Sequence, residues 1–367
     1  LGVRVIQAYG HFINEKEVQA GDHIIEARRI VIATGSSPFV PPIPGVEKVE
    51  HYTNENIFDL REKPDHLLII GGGPIGMEMA QAHIRLGSKV TVIEGAKALG
   101  KDDPDAAAFV LEKMRAEGIE IVEDALAEKI SQRGKVITVE TSNGTFKGSH
   151  LLMAVGRKVN IDKLELDKGG VGFDRSGVKV DTSLRSPSNK RVYAIGDVAG
   201  GLQFTHVAGY HASVIIRSML FGLPSKARTD HIPWVTYTDP ELAQIGPTEA
   251  DAIKMHGKGA ITTVRFDYSG NDRAIATGKT GGFIKVIVFN NKPIGATIVG
   301  ENAGELIGVW ALAIANKMKM SAVAAMVAPY PTLGEINKRA AGAYFTPKLF
   351  ENPTVKKVVG FVQKYLP

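Results

Sequence analysis

Short apolar runs separated by turn residues dominate the first part of the chain. Residues 3–8, 24–27 and 29–33 read as strands, with a turn-rich middle. The last run ends at Thr34-Gly35-Ser36-Ser37-Pro38. Residues 40–45 carry Pro41, Pro42 and Pro44 and are excluded from regular structure. From Leu67 to Ile70 every position is apolar, a glycine-rich turn follows, and a helical pattern runs from about Ile75 to Gly87, a natural left-handed cap. A second apolar run, Val90 to Ile93, ends in Glu94. Asp103-Pro104 reads as a helix N-cap with proline at the first helical position, and that helix is expected to reach Gly118. Strands are expected over residues 120–122, 125–131, 136–141 and 145–147.

The apolar run at residues 149–157 then repeats the pattern of residues 29–35, a strand running into a small-residue turn. Two such runs bracketing a strand–helix–strand unit imply that residues 62–153 are inserted between two halves of another domain. The second half supplies Arg191 to Asp197, a strand ending in Gly-Asp, and an amphipathic helix from about Thr205 to Phe221. From His231 onward the pattern is β-rich, with a hairpin turning at Asn290-Asn291 and helices over about 303–319 and 333–344. Strands followed by helices mark a separate α+β domain. The expected domains are therefore 1–61, 62–153, 154–230 and 231–367.

The glycine-rich turn is where chemistry enters. Gly71, Gly73 and Gly76 stand at G-x-G-x-x-G spacing between a strand and a helix, and Glu94 ends the next strand 23 residues after Gly71. Gly71 permits the tight turn, Gly73 lets a pyrophosphate approach the backbone, and Gly76 lets the helix pack closely. The helix N-terminus offers its unpaired amides and positive dipole end to the phosphates. Glu94 is placed to accept hydrogen bonds from an adenosine ribose, which favours NAD. Lys97 and Lys101 lie near enough to keep NADP open.

Composition changes the picture little, except in two respects. The chain has 367 residues, 44% hydrophobic and 23% charged, with a formal net charge of +5. The basic residues are scattered, so pairs such as Arg28-Arg29 read as solvated surface and no nucleic-acid partner is expected. No apolar run approaches the roughly 18 to 20 residues needed to cross a bilayer, so no membrane partner is expected and the expected location is cytoplasmic. Cysteine is absent, which excludes a disulfide, a thiolate metal site or a redox dithiol within these residues. His206 and His211 are five apart and do not share a helix face, so no metal site is expected. The chain begins at Leu1 with no signal peptide and is expected to be a fragment whose N-terminal part is missing. Trp234 and Trp310 are expected in a core or an interface.

The order of motifs resembles the pyridine nucleotide–disulfide oxidoreductases, which include dihydrolipoamide dehydrogenase, glutathione reductase and mercuric reductase. The motifs are Ile32-Ala33-Thr34-Gly35, the Gly71–Gly76 turn, Val155-Gly156-Arg157, Ala194-Ile195-Gly196-Asp197 and Tyr237-Thr238-Asp239-Pro240-Glu241. The resemblance spans essentially the whole chain. It implies an α/β fold in which a Rossmann-type NAD domain is inserted into a partial FAD domain and followed by an α+β dimerisation domain. It implies FAD and NAD as cofactors, a homodimer, and a small-molecule substrate. Thr34, Gly35, Gly156, Arg157, Gly196 and Asp197 are implied on the FAD side, with Asp197 bonding the ribityl chain. Thr205 and His206 begin a helix whose N-terminus points at the flavin. Glu78 is implied beside the nicotinamide, paired with a lysine of the missing segment.

The family's first G-x-G-x-x-G and its C-x-x-x-x-C pair do not occur here. The flavin is accordingly expected to be weakly held or lost. The family's His-Pro-Thr stretch, with an acid five residues after the histidine, corresponds to Tyr330-Pro331-Thr332 and Glu335. Tyrosine, with an ordinary pKa near 10, is a poor proton shuttle at neutral pH. Tyr330 and Glu335 are the candidate acid/base pair by position, and Tyr330 is reminiscent of mercuric reductases. Thr332-x-x-Glu335 also reads as a capping box. The expected function is an FAD-dependent, NAD-using oxidoreductase resembling dihydrolipoamide dehydrogenase. The alternatives are a mercuric reductase-like enzyme and an inactive nucleotide-binding, dimerising fragment.

Overall fold

The computed structural model describes residues 2–365. The chain divides into two compact units, one built from the chain up to Phe39 together with Gly156–Thr229, the other from Val40–Val155 together with the chain from Asp230 onward. In the first unit, the strand Ile30–Ile32 pairs in parallel with Val192–Ala194, and Ser36–Pro38 pairs antiparallel with Arg157–Val159. Segments more than a hundred residues apart in sequence thus pair in two separate two-stranded sheets, as the bracketing pattern implies. The helix Thr205–Phe221 ends at Gly222, whose φ of 65° places it in the left-handed region.

In the second unit, a parallel sheet orders His150–Met153, His66–Ile70, Lys89–Ile93 and Glu120–Val122 side by side. Its central strands are buried on both faces, which is why they read as unbroken apolar runs. The helix Pro74–Arg85 follows the first of them, and Pro104–Ala116 begins at Asp103, whose carboxylate accepts from the amides of Asp105 and Ala106. Residues 40–61 pack on this unit: Ile43, Val46 and Val49 join one of its cores and Ile57 another.

The C-terminal part of the second unit is a five-stranded antiparallel sheet ordered Pro233–Thr236, Glu241–Ile245, Lys292–Gly300, Phe283–Phe289, Ile261–Asp267. Side chains alternate between two cores. Ala243, Ile245, Ile284, Val286 and Ile298 face the helices Gly308–Ala315 and Glu335–Ala343, whereas Leu242, Phe283 and Val299 face the nucleotide-binding lobe. The hairpin turns at Asn290 and Asn291, with φ of 49° and 61°.

Three expectations about local structure are corrected. Residues 3–8 form no strand: Val3 and Val5 are 75% and 83% exposed and pair with no strand among the described residues, so apolar alternation had no sheet to join. The helical pattern over 303–319 is broken into Ala303–Leu306 and Gly308–Ala315, and it stops before Lys317, at φ 53°. The capping box does not form. The Thr332 hydroxyl donates to the Pro329 carbonyl, 2.7 Å, and the helix starts at Glu335 with no side-chain cap. Trp310 is fully buried, its indole N–H donating to Asn337 Oδ1 at 2.7 Å, which assigns it to the core.

Candidate functional site

The turn after His66–Ile70 has the geometry of a phosphate cradle. Gly71 has φ 111°, and a Cβ there would lie 2.4 Å from the Ala154 carbonyl oxygen. A Cβ on Gly76 would lie 1.9 Å from the Gly71 carbonyl oxygen, so the helix reaches the turn only because both residues lack side chains. At Gly73 a Cβ would meet nothing within 4 Å, which leaves open space against bare backbone. Pro74 has no N–H and the Met77 amide bonds to the Gly73 carbonyl, so the amides of Ile75 and Gly76 are the donors at the helix mouth.

Glu94 closes the cradle from the neighbouring strand. Its carboxylate accepts from the amides of Gly72, 2.7 Å, and Ala96, 2.9 Å. Those bonds fix the group at the strand end and still leave lone pairs for two ribose hydroxyls. Lys97 pairs with Asp124 at 2.6 Å, so its charge is engaged by a carboxylate other than Glu94.

Glu78, one turn into the helix, is half-buried and accepts from the Tyr237 amide at 2.8 Å. Burial pushes its pKa up and the amide bond opposes that shift.

In the first unit, Thr34, Gly35, Gly156, Arg157, Gly196 and Asp197 converge. The Thr34 hydroxyl donates to the Asn160 carbonyl at 2.6 Å, and the Asn160 side-chain amide donates back to the Thr34 carbonyl at 3.0 Å. Ser36 is the hub: its hydroxyl donates to Asp197 Oδ2 at 2.5 Å and accepts from Arg157 Nε at 2.6 Å. Arg157 Nε lies 3.8 Å from the same carboxylate oxygen. Neither Gly35 nor Gly156 has anything within 4 Å of an added Cβ, so this corner has room beside a fixed carboxylate.

The buried ring of His211 accepts from the Gly196 amide through Nδ1, 3.2 Å, tying the helix Thr205–Phe221 to the Gly-Asp turn. Burial lowers its pKa, which keeps it neutral and able to accept. Thr205 and His206 are exposed on the first turn, with His206 stacked on Phe204 at 5.3 Å between centroids. Sequence reading missed Ser36, Asn160 and His211 as site residues. Ser36 was legible only as a turn residue, and nothing in the pattern marks His211 as the acceptor for a distant amide.

Tyr330 and Glu335 belong to the C-terminal part of the second unit. Tyr330 is 69% exposed and donates to Asp272 Oδ2 at 2.8 Å, a bond that raises its pKa further above the ordinary tyrosine value. Glu335 lies 4.0 Å from Arg339 one helical turn on. The phenol, a poor proton shuttle already by its ordinary pKa, is bonded to Asp272 rather than to Glu335.

A family described as pyridine nucleotide-disulphide oxidoreductase matches residues 1–212, and the dimerisation domain of the same family matches residues 232–341. The chain belongs to this family of oxidoreductases. Its fold is the family's: an α/β protein with a Rossmann-type NAD domain inserted in an FAD-binding domain and followed by an α+β dimerisation domain. The family match begins at the first residue, and this corrects the expectation of a partial FAD domain lacking its N-terminal segment.

Among curated relatives, a mercuric reductase of Lysinibacillus sphaericus is 33% identical over 344 residues, covering 92% of this chain and 63% of its own length. A dihydrolipoyl dehydrogenase of Bacillus subtilis is 31% identical over 342 residues, covering 91% of this chain and 74% of its own. The chain thus spans less than two thirds of the first curated relatives, 54% for the mercuric reductase of Bacillus cereus.

Among solved structures, the HOCl-induced flavoprotein disulfide reductase RclA of Escherichia coli superposes with a TM-score of 0.84 at 29% identity, covering 92% of this chain and 78% of that one. LpdA of Mycobacterium tuberculosis gives 0.85 at 28%, covering 93% and 77%.

The residues present fit the family's two cofactors. The space at Gly73, the free amides at the helix mouth and the fixed Glu94 suit a dinucleotide, and the carboxylate of Asp197 beside open backbone suits a polyhydroxyl chain. Among the described residues no helix is long and apolar enough to cross a membrane.

Proposed function

We propose that this protein binds NAD at the Gly71–Gly76 turn and FAD beside Asp197, and exchanges hydride between them as a homodimer resembling dihydrolipoamide dehydrogenase. The observation that carries the proposal is the conjunction of open space at Gly73 with Glu94 fixed at the end of the adjacent strand. When bound, the nicotinamide and flavin supply the hydride chemistry. Gly71, Gly73 and Gly76 admit the pyrophosphate, and the amides of Ile75 and Gly76 donate to it. Glu94 accepts from the ribose hydroxyls, and its charge disfavours a 2′-phosphate, the more so because Lys97 is engaged with Asp124. Glu78, held by the Tyr237 amide, borders the nicotinamide end of the groove.

On the flavin side, Arg157 and Ser36 hold Asp197 to accept from the ribityl hydroxyls. Thr34, Gly35, Gly156 and Gly196 shape the backbone around it. The helix that begins at Thr205 and His206 would offer the positive end of its dipole to a bound flavin, where it would favour added negative charge. No cysteine occurs among the 367 residues, so thiol chemistry is not assigned to them.

A second reading, a mercuric reductase-like enzyme, draws on Tyr330. A phenol committed to Asp272 is a poor base for a dithiol, whereas a metal–thiolate substrate does not need that base. Glu335 contributes to either reading only by position.

The experiment is anaerobic mixing of FAD-loaded protein with NADH, following the flavin absorbance. Bleaching is expected, with NADPH slower. Flavin that is bound yet fails to bleach with either nucleotide would overturn the proposal.

A further inference from the structure

The parallel pairing of Ile30–Ile32 with Val192–Ala194 has a second result. Their C-terminal ends carry Thr34-Gly35 and Gly196-Asp197. The residues before each strand, Arg28-Arg29 and Lys190-Arg191, meet at the opposite end, where the Ile30 amide bonds to the Arg191 carbonyl at 2.9 Å. Arg185 joins them, and the five cations line one cavity of about 630 Å³. Basic residues that look scattered along the sequence are therefore gathered in space.

Two of the guanidinium groups are held in place by neutral partners. Arg29 donates to the Met219 carbonyl, and Arg185 Nε donates to the Lys190 carbonyl at 2.5 Å. Arg185 also lies over the buried Tyr193 ring, 5.8 Å from its centroid. The one acid in the lining, Asp181, spends its Oδ1 on the amides of Ser183 and Arg185. Among the described residues none of the five cations has a carboxylate within 4.0 Å. Gathering like charges raises the energy of the folded state, and a concave wall focuses their field. Guanidinium forks match phosphate oxygens in pairs, and the cavity is larger than one phosphate requires.

We propose that this cavity is a second anion site, separate from the dinucleotide turn, that binds a chain of linked phosphates. Two sources present that chemistry, an inorganic polyphosphate and the triphosphate of a nucleotide.

The test is calorimetric titration of the FAD-loaded protein at low salt with inorganic tripolyphosphate and, in a second arm, with ATP. Tripolyphosphate should bind with an affinity that falls steeply as salt is raised. Arg28→Glu and Lys190→Glu change exposed side chains, and each should weaken binding about tenfold or more. Lys356→Glu makes the same two-unit charge change elsewhere and should leave affinity unaltered, and saturating NADH should not compete. ATP binding more tightly than tripolyphosphate identifies a nucleotide as the source; equal or weaker binding identifies the inorganic chain. Absence of binding, equal loss in the control variant, or displacement by NADH would each overturn the assignment.

Discussion

Glu78 accepts a hydrogen bond from the main-chain amide of Tyr237, 2.8 Å away, linking the first helix of the nucleotide-binding lobe to the first turn of the C-terminal sheet. A carboxylate in this half-buried position is costly when ionised, and burial raises its pKa. A carboxyl group whose folded pKa exceeds its unfolded one favours folding most at low pH. It loses that advantage as pH rises between the two values. Glu78→Gln keeps an oxygen for the Tyr237 amide and removes the charge. Its melting temperature at pH 8 should equal or exceed that of the wild type, and the advantage should disappear in acid. A variant markedly less stable at pH 8 would show that the ionised carboxylate stabilises this contact.

Gly73 and Gly76, on either side of Pro74-Ile75, should respond differently to alanine. Gly76→Ala drives a Cβ into the Gly71 carbonyl and should cost about 1–3 kcal/mol or more, read by denaturant unfolding. Gly73→Ala meets no protein atom and has an ordinary φ of −77°, so it should fold normally and bind NADH more weakly. Unchanged NADH affinity in a well-folded Gly73→Ala protein would remove the pyrophosphate from this turn.

Glu94→Ala should lower NAD affinity by roughly 1.5–3 kcal/mol, the value of a charge-assisted hydrogen bond. It should also narrow the preference over NADP, because the repelling charge is gone. Titration with both nucleotides measures the two effects together. A loss shared equally by NAD and NADP would mean that Glu94 serves only the amides of Gly72 and Ala96.

Lys285 is buried on a central strand and contacts Asp103 at 2.8 Å and Asp105 at 2.7 Å. Burial opposes its charge, but the bonds to the two carboxylates outweigh that and hold its pKa above the ordinary lysine value. The same contact lowers the pKa of Asp105. The Asp105 contribution is therefore present above its unfolded pKa and lost as pH falls through the folded one. The Lys285 contribution is lost only in strong base. Lys285→Met leaves Asp103 buried without its cation and should cost about 3–5 kcal/mol near neutrality. Its deficit should shrink in acid, which a pH series of unfolding curves would reveal; a constant deficit would assign the loss to packing.

The sequence by itself determined the elements whose signal is local. Unbroken apolar runs gave the strands of the parallel sheet because both faces are buried. Asp103-Pro104 gave a helix start because capping and a fixed φ act within one turn, and paired asparagines gave the hairpin because they tolerate positive φ. Spacing marked the glycine turn and Glu94 for the same reason: a strand, a turn and a helix bring them together without help from distant chain.

Tertiary structure alone decided the rest. Whether an apolar alternation becomes a strand depends on a partner, which residues 3–8 do not have among the described residues. Thr332 and Glu335 have capping-box spacing, but the Thr332 hydroxyl is taken by the Pro329 carbonyl. Ser36 and His211 acquire roles only when residues over a hundred and about fifteen positions away, respectively, fold against them. Lys285 looks misplaced in an apolar strand until alternation turns it toward Asp103. The five gathered cations are separated by up to 163 positions, Arg28 to Arg191, and only the parallel pairing of two strands puts their starting ends together. Hydrogen bonds and charge fields act through a few ångströms of space, and one-dimensional spacing reports that distance only within a turn or two of the chain.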